Sequence, residues 1–426
     1  MKVLVIGGGG REHALAWRLR RSPRVESVAS CPGNGGIARL GPVWSGIDPS
    51  RDFDGIVERV RTDGIDLVVV GPEDPLAAGL ADHLRGERIS VFGPGRAASA
   101  LEGSKAFSKE FMQRHSIPTA SFVVVESTDA VDEALARFSG PVVVKASGLA
   151  AGKGVTVTDD HDEARRVAQE MLSGDRFGEA GRTVVIEERL EGVEMTMLVF
   201  VSGRQYQILH SAQDYKPLEE GNRGPNTGGM GSYSPTSLFT DPVRERAVRE
   251  VLEPTLAGLE AEGIPYQGVL YVGLMLTADG PQVLEYNVRF GDPETQPLLM
   301  RLQTDLVDIA EAIEGGRLSQ LELAWDERPA TCVVLASEGY PGAYATGHPI
   351  EGPVTSELDD TVQVFHAGTK LEGDRLVTAG GRVLGVTALA DAANPTIESA
   401  RERAYERLQQ ISWPGMTYRR DIAERT

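Results

Sequence analysis

Three apolar segments in the first 100 residues each end at a glycine, and this repetition limits the fold of the amino-terminal part. The segments are Lys2–Ile6, Ile65–Val70 and Ile89–Phe92. Helical patterns follow the first two, through about Arg21 and near Pro75–Arg85. Short apolar strands that alternate with helices are typical of a parallel sheet. Ligands of such sheets bind at the carboxyl ends of the strands, so the glycine turns predict one binding rim.

The first glycine run does not match the dinucleotide-binding fingerprint. Glu12 stands where that fingerprint needs its third glycine, and the next strand ends in Cys-Pro-Gly-Asn rather than in an acidic ribose ligand. The run still opens a helix, so it either places a phosphate at the helix N-terminus or forms a tight turn. The other turns of the predicted rim are residues 32–34, 71–74 and 93–95.

Length and charge narrow the class of protein. A chain of 426 residues predicts two to four domains. The net charge of −19 argues against a general nucleic-acid binder, although phosphate ligands are recognised locally. No apolar run reaches the roughly 18 residues of a membrane span, and the one at the start is too short for a signal peptide. We therefore expect a cytoplasmic enzyme without nucleic-acid or membrane partners.

The residue types that hold metals and phosphates are unevenly used. The two cysteines are far apart and the seven histidines show no metal-binding spacing, so any metal should have oxygen ligands. Only seven of the 43 basic residues are lysine. Arginine does not replace lysine well at a phosphate. The lysines beside glycine-rich or polar motifs are therefore candidate phosphate ligands, namely Lys105, Lys145, Lys153 and Lys216.

Residues 283–297 contain the most informative polar pattern. They begin as a strand after an Asp279-Gly280 turn, which predicts a hairpin. Residues two apart share a face of a strand, so Glu285 and Asn287 point the same way, with Arg289 beside them if the strand continues. A carboxylate and an amide oxygen suit Mg²⁺, and an adjacent arginine suits an anion. A solvated strand edge is the alternative interpretation of these residues alone.

A second pattern is a strand that ends at Lys145 and runs into a glycine loop. Backbone amides of such a loop approach phosphate closely, although an ordinary hairpin explains the pattern too and no P-loop is present. Further on, Thr183–Leu190 joins two strands and offers its backbone to an adenine edge, with Glu194 placed for ribose hydroxyls. Taken alone, a surface turn is the simpler interpretation of that segment. The glycine loop after Lys145 carries Gly148, Gly152, Lys153 and Gly154.

The order of these motifs resembles the ATP-grasp superfamily. The detailed strings, which run through nearly the whole chain, resemble the glycinamide ribonucleotide synthetase family, also called phosphoribosylamine–glycine ligases. They are GGGGREHAL (7–15), PGN (32–34), VGPEDPL (70–76), LEGSKAF (101–107), KASGLAAGKGV (145–155), SAQDYK (211–216), GPNTGGMGSYSP (224–235), EYNVRFGDPETQ (285–296), YPG (340–342) and VFHAGT (364–369).

This resemblance implies a multidomain α/β fold. The expected parts are a parallel-sheet substrate domain (1–100), a connector helix (101–120), an ATP-grasp lid subdomain (121–190), an ATP-grasp catalytic subdomain (191–323) and a small mixed α+β domain (324–426). Within them, the residue patterns predict a long polar loop at 211–236 and helices at 241–262 and 293–315. The implied reaction joins glycine to 5-phosphoribosylamine with ATP and Mg²⁺ or Mn²⁺, through glycyl phosphate. A monomer or weak dimer is expected.

The resemblance also implies roles for individual residues. Arg289, Lys145 and Asp214 are the expected catalytic residues. Glu285 and Asn287 are the expected metal ligands. The expected ATP contacts are Lys105, Lys145, Gly148, Gly152, Lys153, Gly154, Glu187, Glu188, Leu190 and Glu194. The expected contacts to glycine and phosphoribosylamine are Gly9, Gly10, Asn34, Glu73, Asp214, Lys216, Asn226, Thr227, Gly228, Gly229, Met230, Arg289 and Asp292.

Three positions depart from the family's pattern, and two other functions compete with the ligase. Tyr215 stands where histidine is expected, Met195 where a smaller residue is usual, and Val288 where Cys or Ala is common. None of these changes removes a charged or metal-binding group. The competing functions are another ATP-grasp carboxylate–amine ligase and a catalytically silent nucleotide sensor. An acceptor screen would distinguish the other ligase from the expected one. ATP turnover that depends on glycine and the amine would distinguish an enzyme from a sensor.

Overall fold

The computed structural model describes residues 1–150, 154–174, 177–355 and 360–424. In its amino-terminal part, the strands are β1 Lys2–Gly7, β2 Ser27–Pro32, β3 Leu67–Val70 and β4 Ser90–Phe92. The helices are α1 Gly10–Arg20, α2 Phe53–Asp63, α3 Glu73–Ala78, α4 Leu80–Gly86 and α5 Arg96–Gly103. The strands form the predicted parallel sheet in the order β2-β1-β3-β4.

Burial explains the apolar strands of this sheet. Val3 and Val5 pack into one hydrophobic core and Leu4 and Ile6 into another, so both faces of β1 are covered. The single helix predicted near residues 75–85 is wrong. It is the two helices α3 and α4, because Gly79 between them adopts a φ of +103°, a backbone conformation that favours glycine.

The next part of the chain begins with a helix and continues as an antiparallel sheet. Ser104 caps the helix, its hydroxyl accepting a hydrogen bond from the Phe107 amide at 3.2 Å. The elements are α6 Lys105–Arg114, β5 Phe122–Val125, α7 Val131–Leu135, β6 Val142–Ala146, β7 Val155–Thr158, α8 His161–Leu172 and β8 Val184–Glu188. The strand order of this lid sheet is β5-β8-β6-β7.

The following part contains a second antiparallel sheet and a set of short strands. The strands are β9 Val193–Ser202, β10 Gln205–Ile208, β11 Gln213–Asp214, β12 Pro217–Glu219, β13 Arg223–Asn226, β14 Gly231–Ser234, β15 Gln267–Thr277 and β16 Gly280–Asn287. The helices are α9 Asp241–Ala247, α10 Glu253–Ala261, α11 Thr295–Arg301 and α12 Leu306–Glu314. The order β10-β9-β15-β16 forms the catalytic sheet, and β15 with β16 is the predicted hairpin.

The two helices predicted in this part differ in outcome. The helix predicted at 241–262 is present as α9 and α10, joined by a π-helical turn at Val248–Leu252. The single helix predicted at 293–315 is wrong. Leu302 is extended and pairs with Trp325, and Asp305 caps α12 by accepting a hydrogen bond from the Val307 amide at 2.9 Å. The chain therefore breaks between α11 and α12.

The carboxy-terminal part adds a sheet that reaches back into the middle of the chain. Its elements are β17 Ala330–Ser337, β18 Val362–His366, β19 Thr369–Glu372, β20 Arg375–Thr378, β21 Arg382–Leu389, α13 Ile397–Leu408 and β22 Met416–Thr417. The strand order is β11-β14-β17-β21-β18. The polar segment predicted as a long loop thus contributes two strands to this sheet, since β14 pairs along β17. No helix among the described residues has the length and apolar content to cross a membrane.

Candidate active site

One cavity of about 620 Å³ collects residues from the lid and catalytic sheets, from helices α1, α3 and α6, and from the carboxy-terminal sheet. Most of the residues singled out from the sequence line it. They are Glu73, Lys105, Lys145, Gly154, Glu187, Glu188, Leu190, Glu194, Asp214, Lys216, Asn226, Thr227, Gly228, Glu285, Asn287, Arg289 and Asp292. A cavity of this size, lined by both polar and apolar side chains, suits a small-molecule ligand.

Hydrogen bonds join the start of α6 to the end of β6, and this joint places two lysines together. The Lys105 amide donates to the Ser147 carbonyl at 2.8 Å, and the Ala106 amide donates to the Ser147 hydroxyl at 3.0 Å. The Lys105 ammonium donates to the Gly148 carbonyl at 3.4 Å. Because Ser147 follows directly after β6, Lys105 and Lys145 are held at the same wall of the cavity.

A buried carboxylate lies between two lysines at this wall. Glu187 on β8 forms ion pairs with Lys145 and, at 2.5 Å, with Lys109 of α6. Burial raises the pKa of Glu187, but Lys145 and Lys109 lower it by more, so the carboxylate stays charged. Burial lowers the pKa of Lys109 to about 8, against the opposing effect of Glu187.

The segment after Glu187 forms an edge of the cavity. The Glu188 carboxylate accepts a hydrogen bond from the Ser121 amide at 2.9 Å, so this side chain is already engaged within the lid. Leu190 lines the cavity together with four other apolar residues. Those residues are Val143, Val157, Met275 and Leu284.

Glu285 and Asn287 both face the cavity from β16, as the strand alternation predicts. Burial raises the pKa of Glu285, but Lys216, Lys145, Lys105 and Arg289 lower it by more. The carboxylate is therefore charged and surrounded by cations. The Asn287 amide oxygen accepts a hydrogen bond from Arg289 at 3.1 Å and has a second lone pair for another partner.

Arg289 bridges two carboxylates from different elements. Its Nε atom lies 3.1 Å from Glu73 of α3, and its Nη2 atom lies 2.7 Å from Glu102 of α5. Burial raises the pKa of Glu102 to about 7, although Arg289 opposes this. Burial also raises the pKa of Glu73, but Arg289 and Arg11 lower it to about 2. The guanidinium thus holds the amino-terminal domain against the catalytic sheet.

A second group of carboxylates surrounds Lys216. Its ammonium lies 3.4 Å from Glu194 and 3.8 Å from Asp214. Burial raises the pKa of Asp214 despite Lys216. Glu294, also on the cavity wall, has its pKa raised to about 7, first by burial and then by Asp214. This region therefore combines a cation with carboxyl groups that take up protons more readily than usual.

The polar segment 226–229 is fixed from the carboxy-terminal domain. The Gly228 amide donates to the Tyr340 hydroxyl at 3.0 Å, and its carbonyl accepts from Arg382. Arg382 also lies 3.0 Å from the carboxylate of Asp292. The main-chain amide and hydroxyl of Thr227 both donate to the Lys216 carbonyl. Residues more than 150 positions apart thus meet at this end of the cavity.

Three domain models of one protein family match successive parts of the chain and together cover almost all of it. Residues 1–102 match the model of the phosphoribosylglycinamide synthetase N domain, residues 103–295 its ATP-grasp (A) domain and residues 330–425 its C domain. The chain belongs to the phosphoribosylglycinamide synthetase family.

Named relatives and a solved structure agree with this family. The chain is 50% identical over 426 residues to a phosphoribosylamine–glycine ligase of Allochromatium vinosum, covering 100% of this chain and 98% of that protein. A Vibrio cholerae protein of the same name is 47% identical with the same coverage. The crystal structure of a phosphoribosylamine–glycine ligase from Thermotoga maritima has a TM-score of 0.85 at 36% identity, over 99% of this chain and 100% of that chain.

The family resemblance pointed to several residues that the structure does not place on the cavity wall. Asn34 uses its whole amide on backbone groups, donating to the Gly8 and His366 carbonyls and accepting from two amides of its own turn. Met230 is buried next to β14. Gly152 and Lys153 lie outside the described residues. The remaining members of this set that do not line the cavity are Gly9, Gly10, Gly148 and Gly229.

Gly9 and Gly10 nonetheless have a steric role beside Asp292. A Cβ atom on Gly9 would lie 2.7 Å from the Glu12 carboxylate, and one on Gly10 would lie 2.7 Å from the Gln296 amide. Both would also lie within 3.5 Å of the Asp292 carboxylate. The glycines therefore allow the amino-terminal domain to approach Asp292 closely.

Sequence reasoning missed several charged residues of the cavity, which are Arg11, Glu102, Lys109, Glu294 and Arg382. Arg11 and Glu102 fall inside strings quoted for the family, and Glu294 lies two residues after Asp292. Lys109 is one of the seven lysines of the chain but lies outside the glycine-rich and polar motifs. Its spacing of four from Lys105 puts both on one helix face, and that signal could have identified it.

Gly148 offers a test of how the lid loop is held. Its amide donates to the Ala180 carbonyl at 3.0 Å, and a Cβ atom would lie 2.6 Å from the Ala180 Cα atom. We expect Gly148→Ala to shift this contact, lowering stability by about 1–3 kcal/mol and lowering ATP turnover. Urea unfolding and ADP release measure the two effects. Gly140→Ala is the control, since nothing lies within 4 Å of its Cβ position. Equal behaviour of the two variants would contradict the contact.

Proposed function

We propose that the protein joins glycine to 5-phosphoribosylamine with ATP, giving glycinamide ribonucleotide, ADP and phosphate in de novo purine biosynthesis. The observation that carries this proposal is that one cavity is lined by Lys105, Lys145, the Glu285–Asn287 pair and the polar segment 226–228. Family membership over the full domain order supports the same reaction. We place the enzyme in the cytoplasm, acting as a monomer or weak dimer.

The reaction has two bond-forming steps. A carboxylate oxygen of glycine attacks the γ-phosphorus of ATP and the bond to the β,γ-bridging oxygen breaks. The products of this step are ADP and glycyl phosphate. The amine nitrogen of phosphoribosylamine then attacks the acyl carbon, and phosphate leaves as the amine loses a proton. No nucleophilic side chain is needed, so the protein acts by positioning and by stabilising charge.

The cavity residues divide into three roles in this proposal. Lys105 and Lys145 contact the ATP phosphates and offset the charge that gathers on the transferring group. Arg289 lies beside Asn287 and orients the anionic groups. Asp214 accepts the amine proton, because its raised pKa suits proton transfer nearer neutrality than an ordinary aspartate. The lid excludes water from the acyl phosphate.

The donor set on β16 fits a hard divalent cation. Glu285 supplies a charged oxygen and Asn287 a neutral oxygen, both facing the cavity. Among the described residues, no group of three or more His, Cys, Asp and Glu side chains is arranged to hold a metal, so phosphate oxygens would complete the coordination. We propose Mg²⁺ or Mn²⁺, which supplies charge neutralisation at the phosphates when bound.

ADP release should require both acceptor substrates. We expect turnover with ATP, glycine and freshly generated phosphoribosylamine, and little turnover when either glycine or the amine is omitted, because acyl phosphate formation and amine attack belong to one sequence. A coupled ADP-release assay measures this. Equal ADP release without one substrate would reject the proposal. Turnover with a different carboxylate or amine in an acceptor screen would assign another ligase reaction.

A further inference from the structure

Lys109 is a buried lysine on the cavity wall that the proposed reaction does not use. It is 2% exposed and lies on the same face of α6 as Lys105. Its ammonium contacts the Glu187 carboxylate at 2.5 Å and donates to the Thr119 hydroxyl at 2.7 Å. It also lies 5.9 Å from the centre of the Phe122 ring. Burying an ammonium costs free energy unless its charge is compensated, so the Glu187 carboxylate is an essential partner of Lys109.

The partner of Lys109 is shared with a lysine of the proposed ATP site. The two oxygens of the Glu187 carboxylate are divided, Oε2 to Lys109 and Oε1 to Lys145. One negative charge therefore faces two positive charges, each from a different element. With both lysines present, neither is fully neutralised by Glu187, and Lys145 keeps net positive charge toward the cavity.

The same two lysines connect the lid sheet to the catalytic sheet. Lys109 reaches β16 through Thr119, whose hydroxyl donates to the Val283 carbonyl at 2.7 Å. Lys145 donates directly to the Leu284 carbonyl at 3.3 Å. Both carbonyls directly precede Glu285 in the strand. The buried group made of Lys109, Glu187 and Lys145 thus joins the lid to the part of β16 that carries the proposed metal ligands.

We propose that Lys109 is a positioning residue for nucleotide binding: by sharing the Glu187 carboxylate it leaves Lys145 free to engage phosphate and holds the lid against β16. This inference rests on the ATP site of the proposed function. Without Lys109, Glu187 has Lys145 as its single close cation, and phosphate must compete with a full buried ion pair. Removing Glu187 as well abolishes that competition.

The test is a double-mutant cycle of Lys109→Met and Glu187→Gln. The ATP affinity of each variant is measured by equilibrium titration without glycine or amine. We expect Lys109→Met to weaken ATP binding about 10-fold while the KM for glycine stays unchanged. We expect Lys109→Met combined with Glu187→Gln to bind ATP no more weakly than Lys109→Met alone, since the two residues act as one unit. Lys370→Met, which removes an exposed lysine outside the cavity, is the matched control.

Two results would overturn the proposal. One is wild-type ATP affinity in Lys109→Met. The other is a double variant whose fold-loss of ATP affinity is the product of the two single losses, which would make Lys109 an independent contact. If Lys109→Met does not fold, Thr119→Val removes one of the hydrogen bonds of Lys109 and should weaken ATP binding in a protein that still folds, as a cooperative thermal unfolding transition would verify. Wild-type affinity in Thr119→Val would then count against the proposal. A protein that binds ATP but does not ligate glycine would reject the proposed function and leave this test intact.

Discussion

Replacing Glu285 by glutamine is expected to reduce ligase turnover by about 100-fold or more. Glutamine keeps the shape of the side chain and removes its charge. The Glu285 carboxylate faces the cavity and is held in its charged form by Lys105, Lys145 and Lys216, so it offers negative charge to a divalent cation bound there. The neutral amide leaves the cation with a weaker ligand at the phosphates, where transition-state charge develops.

Metal titration separates this explanation from a general loss of folding. We expect Glu285→Gln and Asn287→Ala each to raise the Mg²⁺ concentration needed for half-maximal turnover, by roughly 10–100-fold. The effect of Glu285→Gln should be the larger, because a charged oxygen is lost rather than a neutral one.

Gln282→Ala is the matched control for both variants. Gln282 lies on the same strand as Glu285 but outside the cavity, so its removal should change neither the titration midpoint nor turnover. An unchanged metal titration in both Glu285→Gln and Asn287→Ala would show that β16 does not hold the cation. Magnesium dependence would then have to come from the nucleotide alone.

Arg289→Met is expected to lower both stability and activity. The change removes the cation shared by Glu73 and Glu102 and leaves their carboxylates partly unpaired in the interior. Breaking a buried ion pair from one side costs about 3–5 kcal/mol, and the nearby Arg11 places this site at the lower end. Turnover should fall by about 100-fold, since a preorganised cation at the cavity wall is lost. Urea unfolding and ADP release measure the two effects.

A second substitution separates the two consequences of losing Arg289. Glu102→Gln in the Arg289→Met background removes one unpaired carboxylate, so it should recover stability without recovering turnover. Arg61→Met provides the control, because its pair with Glu87 has side chains that are 59% and 40% exposed and should contribute less than about 1 kcal/mol. If the double variant recovered turnover together with stability, Arg289 would have a purely structural role.

The predictable parts of the fold were those set by short-range pattern. The apolar strands, their glycine turns, the Ser104 cap and the hairpin before Glu285 all depend on residues a few positions apart. The break between α11 and α12 was missed, because Leu302 leaves the helix to pair with Trp325, which is 23 positions away. Periodicity in one segment carries no information about such a partner.

The candidate site shows the same division. The alternation of β16 was enough to place Glu285 and Asn287 on one face, and the family strings pointed to the lysines and to the 226–228 segment. They did not reveal that Glu187 joins Lys109 to Lys145, or that Arg289 lies between Glu73 and Glu102. These charges come from separate elements, and only packing decides which of them share a partner.

The sequence by itself determined the class of most elements, the order of the domains and the residue types available for oxygen-ligated metal and phosphate chemistry. The tertiary structure decided which elements meet. Strand β14, from the middle of the chain, completes the carboxy-terminal sheet by pairing with β17, and this pairing brings Arg382 against Gly228 and Asp292. Hydrogen bonding within one segment follows local preference, whereas the pairing of distant strands depends on how the whole chain buries its apolar faces.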